Sequence, residues 1–213
     1  MVKIKRAIMS CYDKTNLVEF AKFLHENGVE IIATVGTNEL LRENGIPSIY
    51  IGDYTGIPEI LGGRLKTLHP KIHAGILALR DNKLHCEQMA TYNFPWIDLV
   101  VVNPKPVAKI VELAGGAIDE VFDQIDIGGI TLIRAAAKNF RYVTVVVDSI
   151  YYPLVIHEMR AHEGSVSFPT RFRLAKEAFA CTSKYDNALA EFLEKKGYIS
   201  PTEEIPIFFK GKP

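Results

Sequence analysis

The sequence predicts an α/β fold with a doubly wound, mostly parallel sheet and a C-terminal helical layer. Over the first 150 residues, short β-rich runs alternate with segments of helical periodicity. Two of the runs, WIDLVVVN and RYVTVVVD, are almost continuously apolar, as in strands that are covered on both faces. From Tyr151 onward the pattern is mostly helical. Strands that alternate with helices favour a parallel sheet with crossover connections.

The elements of the first half follow from local patterns. IKRAIMS is the first predicted strand, and NLVEFAKFLHENG is the first helix. In that helix Leu17, Phe20, Ala21 and Leu24 have the i, i+3, i+4, i+7 spacing of one buried face, and an Asn-Gly pair ends it. VEIIAT is predicted as the second strand, NELLRENG as a short helix and IPSIYI as the third strand.

The second half continues the alternation before it becomes helical. WIDLVVVN is predicted as a central strand, TLIRAAAKN as a helix and RYVTVVVD as a further strand. YYPLVIHEMRAH and RFRLAKEAFACTSKYDNALAEFLEKKG form the predicted helical layer. We expect residues 1–199 to form a single domain and residues 200–213 to form a tail that leaves it.

Composition narrows the classes of partner. The 25 Lys and Arg residues equal the 25 Asp and Glu residues in number, which argues against nucleic acid or an anionic membrane as partner. Three widely separated cysteines suggest reduced thiols and a cytoplasmic location. The apolar stretch near the N-terminus is too short for a signal peptide, and no run approaches the roughly 18 residues of a membrane span.

Several polar segments follow predicted strands, where ligands bind in open α/β sheets. SCYDKT and TVGT follow the first two strands, Asn103 and Lys105 follow the central strand, and Asp126 precedes two glycines. GGRLKTLHPKIHAGIL, residues 62–77, adds a dense positive cluster. Taken singly, TVGT can be a tight turn and DKT a helix cap. Together these segments predict a site for a small phosphorylated ligand.

Other kinds of site are less consistent with the sequence. It contains neither G-x-x-x-x-G-K-[ST] nor G-x-G-x-x-G, which argues against a P-loop ATPase and a dinucleotide site. His69 and His73 are four residues apart, but Pro70 between them breaks a helix and no cysteine cluster completes a site. We therefore expect no metal and no cofactor. Lys138, at the end of RAAAK, is either a solvated lysine at a helix C-terminus or a catalytic residue.

Four segments resemble a known family: DKTNLVEFAKFL, GGRLKTLHPKIHAGILA, IDLVVVN and QIDIGGITLIRAAAKN. They are similar to the IMP cyclohydrolase domain of the bifunctional purine-biosynthesis protein, whose second half is AICAR transformylase. The resemblance runs from about Ile8 to Leu193. It implies a methylglyoxal-synthase-like fold and the last step of de novo purine biosynthesis, in which FAICAR closes to IMP with loss of water. The implied partner is a small purine nucleotide, and no cofactor takes part.

The resemblance also implies roles for individual residues. Lys66 matches the lysine that stabilises the developing oxyanion, Asp126 and Lys138 match a proton-transferring pair, and Asn103 matches an asparagine near the reacting groups. The implied substrate-binding residues are Ser10, Tyr12, Asp13, Lys14, Thr15, Thr34, Gly36, Thr37, Arg64, Thr67, Ile127, Gly128 and Gly129.

The sequence departs from the family pattern at three positions. The family reads serine at Tyr12 and glycine at Val35, and its catalytic tyrosine is Lys105 in this sequence. A lysine can still donate a hydrogen bond and stabilise an anion. Because two prolines fix the backbone around Lys105, we expect its side chain to face the site and to share the tyrosine's role.

Three functions are compatible with these features. The first is an active cyclohydrolase, and the second is a non-catalytic purine-nucleotide-binding module. The third, more remote, is methylglyoxal synthase. Retention of Lys66, Asp126 and Lys138 together favours the enzyme, because binding alone does not require an acid–base pair. The sequence ends where the transformylase half would begin, so a homodimer or a separate AICAR transformylase is the expected protein partner.

Overall fold

The elements of the structure, a computed structural model that describes residues 1–196, alternate as the sequence predicts. In chain order they are β1 (Val2–Lys3), β2 (Arg6–Cys11), α1 (Leu17–Glu26), β3 (Glu30–Ala33), α2 (Val35–Glu43), β4 (Ile49–Tyr50), α3 (Ile51–Thr55), α4 (Pro70–Leu77), α5 (Lys83–Thr91), β5 (Leu99–Asn103), α6 (Val107–Leu113), α7 (Ile118–Asp123), α8 (Gly128–Lys138), β6 (Thr144–Val146), α9 (Tyr152–Ala161), β7 (Ser165–Val166) and α10 (Phe168–Lys196). Short 3₁₀ turns lie at Leu61–Gly63 and Ser149–Tyr151.

Five of the strands form one sheet in the order β4-β3-β2-β5-β6, and every pair in it is parallel. Within this sheet the chain starts at the central strand β2, adds β3 and β4 on one side, and then adds β5 and β6 on the other. This order confirms the predicted doubly wound fold. It also gathers the loops that follow β2, β3 and β5 at one edge of the sheet, beside the central strand.

Helix α1 confirms its predicted apolar face, because all four of its spaced apolar residues are buried. Helix α2 begins earlier than predicted. Thr34 is its N-cap, and Val35, Gly36 and Thr37 form its first turn, so TVGT is a helix start and not a separate tight turn. The third predicted strand pairs only at Ile49 and Tyr50, because the chain enters α3 immediately afterwards.

The C-terminal helical layer is confirmed by α9 and α10. Helix α10 packs against α8 and β6. Buried Arg171 of α10 donates hydrogen bonds to the carbonyls of Phe140, Arg141 and Val166, which compensates its charge. A small antiparallel pairing of β1 with β7, which the sequence patterns did not predict, lies apart from the main sheet.

Two further points concern the C-terminal residues and the helices. The predicted boundary at residue 199 and the tail at residues 200–213 lie outside the described residues. Among the helices of residues 1–196, none is both long enough and apolar enough to cross a membrane.

Candidate functional site

A cavity of about 880 Å³ lies at the edge of the sheet where β2, β3 and β5 end. Its walls come from the loop after β2, the start of α2, the segment before α4, the loop after β5 and the segment that joins α7 to α8. The lining residues are Ser10, Cys11, Tyr12, Lys14, Thr34, Gly36, Thr37, Leu61, Gly62, Gly63, Arg64, Lys66, Asn103, Lys105, Phe122, Asp123, Gln124, Ile125, Asp126, Ile127 and Gly128.

One wall of the cavity is suited to an anion. The Lys14 ammonium donates to the Cys11 carbonyl at 2.6 Å and to the Thr37 hydroxyl at 2.7 Å. The Thr34 hydroxyl donates to the Ser10 hydroxyl at 3.2 Å. Partial burial lowers the pKa of Lys14. The amine lies beside the N-terminus of α2, where backbone N–H groups and the helix dipole favour the binding of a negatively charged group.

Asp13 and Thr15 shape this wall without lining the cavity. Asp13 accepts hydrogen bonds from the Thr15 N–H at 2.9 Å and the Thr15 hydroxyl at 2.7 Å, which lower the pKa of Asp13. The Asn103 side chain joins the loop to β5, because it accepts from the Asp13 N–H at 2.7 Å and donates to the Asp13 carbonyl at 3.1 Å. These hydrogen bonds hold the loop after β2 in place. That Asp13, Thr15 and Asn103 contact the substrate stays a prediction.

The cationic segment forms another part of the cavity wall. Arg64 and Lys66 both line the cavity, and Arg64 forms an ion pair with Asp123 at 3.2 Å across its rim. The turn before Arg64 requires unusual backbone conformations, since Gly62 and Gly63 have φ of 65° and 88°. The 62–77 cluster thus contributes two cations to the cavity from one short segment.

The segment that enters α8 is packed tightly enough to require glycine. The Asp126 carboxylate accepts from the Gly129 N–H at 2.7 Å. A Cβ on Gly129 would lie 2.3 Å from the Asp126 Oδ2 atom, and one on Gly128 would lie 2.3 Å from the Thr67 Oγ1 atom. Thr67 is 1% exposed, so it lies beneath the cavity floor. The two glycines therefore let Asp126 and Thr67 approach the start of the helix.

Gly128→Ala is expected to destabilise the fold by about 1–3 kcal/mol, since the added methyl group collides with a buried hydroxyl. Denaturant unfolding of the variant measures this cost. In a Thr67→Ala background, where the nearest side-chain atom lies 3.7 Å from the added Cβ, the same change should cost less than about 1 kcal/mol. Equal costs in the two backgrounds would contradict the proposed collision.

Lys105 lines the cavity. Its ammonium donates to the Gln124 Oε1 atom at 2.7 Å and lies 5.6 Å from the centre of the Tyr12 ring. Both partners line the same cavity. The contacts therefore connect three separate segments on one side of the site: the loop after β2, the loop after β5 and the end of α7.

Lys138 is exposed and does not line the cavity. It is the last residue of α8, whereas Gly128 at the cavity is the first, so the two lie about 15 Å apart along the helix axis. Direct proton transfer needs groups within about 3 Å of the reacting atom. The structure does not bring Lys138 together with Asp126, and the predicted pair is therefore not formed within this chain.

Some lining residues escaped the sequence patterns. Cys11, the last residue of β2, lies within the predicted SCYDKT segment, but no pattern singles it out as a site residue. Burial raises the pKa of Cys11 to about 11, so its thiol stays protonated and is a poor nucleophile. Leu61 and Phe122 are exposed apolar side chains at the cavity. Gln124 lies two residues before Asp126, and this closeness in sequence could have indicated that Gln124 also lines the cavity.

One histidine of the cationic segment has a structural position. His69 is the N-cap of α4, and its Nδ1 atom accepts from the Lys71 N–H at 3.1 Å. Within residues 1–196, no three His, Cys, Asp or Glu side chains are grouped in a way that could hold a metal ion.

Comparison with known proteins identifies the family. The family model described as the MGS-like domain matches residues 16–131, more than half of the chain. The chain belongs to the MGS-like domain family. A second model, described as the AICARFT/IMPCHase bienzyme, matches residues 136–211 of this MGS-like protein. Together the two matches confirm the family that the sequence motifs predict.

Two relatives of this MGS-like domain share one name. The chain is 50% identical over 197 residues to the bifunctional purine biosynthesis protein PurH of Acidithiobacillus ferrooxidans, a match that covers 92% of this chain and 38% of that protein. It is 45% identical over 210 residues to the protein of that name from Neisseria meningitidis, a match that covers 98% of this chain and 40% of that protein. The chain thus spans about two fifths of the length of these relatives.

A solved structure shares the fold. The crystal structure of ForH superposes with a TM-score of 0.78 at 34% sequence identity, and the match covers 89% of this chain and 98% of that one. The parallel five-stranded sheet with its flanking helices is therefore the fold of a known structure.

Proposed function

We propose that this domain closes the second purine ring of FAICAR to give IMP, a step of purine biosynthesis. One observation carries the proposal: the SCYDKT, RLKT and QIDIGG segments, which are far apart in sequence, meet in one cavity. The relatives' description as bifunctional purine biosynthesis proteins supports the pathway.

The 5′-phosphate of the nucleotide fits the wall formed by Lys14, Thr37 and the start of α2. Lys14 contributes a positive charge, the hydroxyls contribute donors, and the helix start contributes backbone N–H groups. Arg64 lines the same cavity. A phosphate in this position leaves the heterocycle directed toward Lys66, Lys105 and Asp126.

The chemistry follows from this arrangement. The carboxamide nitrogen attacks the formyl carbon while Asp126 accepts its proton, since an amide nitrogen is a poor nucleophile. Lys66 and Lys105 stabilise the oxyanion that develops on the formyl oxygen. Asp126 then returns its proton to that oxygen, which becomes a hydroxyl group. The hydroxyl leaves as water together with the proton of the formamido nitrogen, and the ring C=N bond of IMP forms.

FAICAR and dihydroxyacetone phosphate, supplied in parallel assays, separate this proposal from the methylglyoxal synthase hypothesis. The purified chain should form IMP from FAICAR and no methylglyoxal from the triose phosphate. Formation of methylglyoxal without formation of IMP would contradict the proposal.

Lys138→Ala is expected to change kcat less than twofold, because the side chain is exposed at the end of α8 remote from the cavity. Steady-state kinetics compares the kcat of this variant with that of Asp126→Asn, which removes the proposed base. A tenfold or larger loss in Lys138→Ala would show that Lys138 reaches a cavity after all, for example that of a second copy.

A further inference from the structure

Tyr185 of helix α10 makes a direct hydrogen bond to the backbone of Asp126. The Asp126 N–H donates to the phenolic oxygen of Tyr185 at 2.9 Å. Tyr185 is 5% exposed, and the bond is partly buried. A phenylalanine would fill the same space in the core, and only the hydroxyl reaches Asp126.

The second bond to Asp126 comes from the other direction. The Gly129 N–H donates to its carboxylate at 2.7 Å, so α8 holds the side chain while α10 holds the backbone. This arrangement fixes Asp126 from two separate helices. A proton acceptor held in this way loses less conformational freedom when substrate binds, which favours the reactive geometry.

Tyr185 does not itself belong to the cavity that Asp126 lines. It lines a neighbouring cleft of about 610 Å³, together with Asp148 and Lys184. Burial raises the pKa of Tyr185, so the phenol stays neutral and its oxygen accepts the bond. These facts separate Tyr185 from residues that touch substrate.

We propose that Tyr185 is a positioning residue that holds Asp126 in place to accept the proton of the carboxamide nitrogen. The inference rests on the proposed cyclohydrolase function. It gives the C-terminal helix α10 a part in the reaction, although that helix contributes no side chain to the lining of the main cavity.

Tyr185→Phe is expected to lower kcat for FAICAR cyclisation about fivefold to tenfold, the scale of one partly buried hydrogen bond. The KM for FAICAR and the Kd for IMP should change less than twofold, because the phosphate wall is untouched. The decisive readout is a double-mutant cycle measured by single-turnover kinetics. In an Asp126→Asn background, Tyr185→Phe should cause no further loss.

Tyr54→Phe is the matched control. Tyr54 is 7% exposed, its hydroxyl has no hydrogen-bond partner within residues 1–196, and it does not line the cavity. It should therefore retain the parent kcat. Thermal unfolding of all variants separates a loss of folded protein from a loss of turnover.

The outcomes distinguish the two levels of the proposal. An inactive parent chain contradicts the cyclohydrolase function and this inference with it. An active parent whose Tyr185→Phe variant keeps the parent kcat contradicts the role of Tyr185 alone. An equal loss in the parent and Asp126→Asn backgrounds also contradicts it, because Tyr185 would then act by a route other than Asp126.

Discussion

Lys66→Ala is expected to lower kcat for FAICAR cyclisation about 10²–10³-fold, the loss typical of removing a donor to an oxyanion. Lys66 lines the cavity, and the charge that we propose it stabilises is present mainly in the transition state. The Kd for IMP should therefore rise far less than kcat falls. Steady-state kinetics and calorimetric titration with IMP measure the two quantities.

Lys71→Ala is the matched control for Lys66, because the two lysines come from the same segment. The Lys71 ammonium donates to the Tyr54 carbonyl and does not line the cavity. Its removal should leave kcat within about twofold, since it makes no contact with the reacting atoms. A Lys66→Ala variant with normal kcat and only a raised KM would show that Lys66 anchors the phosphate.

Lys105→Ala is expected to lower kcat about 10²-fold or more, the scale of a positioned acid or base. The side chain faces the cavity, and its contacts with Gln124 and Tyr12 hold it there. Lys105→Tyr, which introduces the residue of the family pattern, should change kcat only modestly. The measurement is kcat for both variants at the same pH, with IMP binding as the check on the folded site.

The Lys105→Ala variant can also contradict the proposed role of Lys105. If Lys105→Ala cyclises FAICAR as fast as the parent chain, Lys105 does not replace the family tyrosine. Catalysis would then depend on Lys66 and Asp126, and the hydrogen bond to Gln124 would have only a structural role.

Much of the fold could be predicted because its signals are local. The buried strands β5 and β6 are continuous apolar runs, and α1 has a strict helical period that ends at an Asn-Gly pair. Strand length was less predictable: IPSIYI has a strand-like composition, yet only two of its residues pair before α3 begins. The short β1–β7 pairing joins residues 2–3 to residues 165–166, and no local pattern predicts a contact over such a separation.

The site was predictable where loops follow strands and less so where contacts come from distant elements. The loops after β2, β3 and β5 were expected at one edge of the sheet, and they do line one cavity. The helical period of TLIRAAAKN could have indicated that Lys138 ends a helix, with Asp126 lying just before the start of that helix. The bond from Asp126 to Tyr185 spans 59 residues, and spacing along the chain gives no sign of it.

The measurement that tests the account most directly is IMP formation from FAICAR by the purified chain, compared with the uncatalysed rate and with Asp126→Asn. We expect turnover well above the uncatalysed rate by the parent, a loss of about 10²-fold or more in Asp126→Asn, and a Kd for IMP that agrees within a few fold between the two. The result that would contradict it is a parent chain that binds IMP but forms it no faster than buffer, as expected of a non-catalytic nucleotide-binding module.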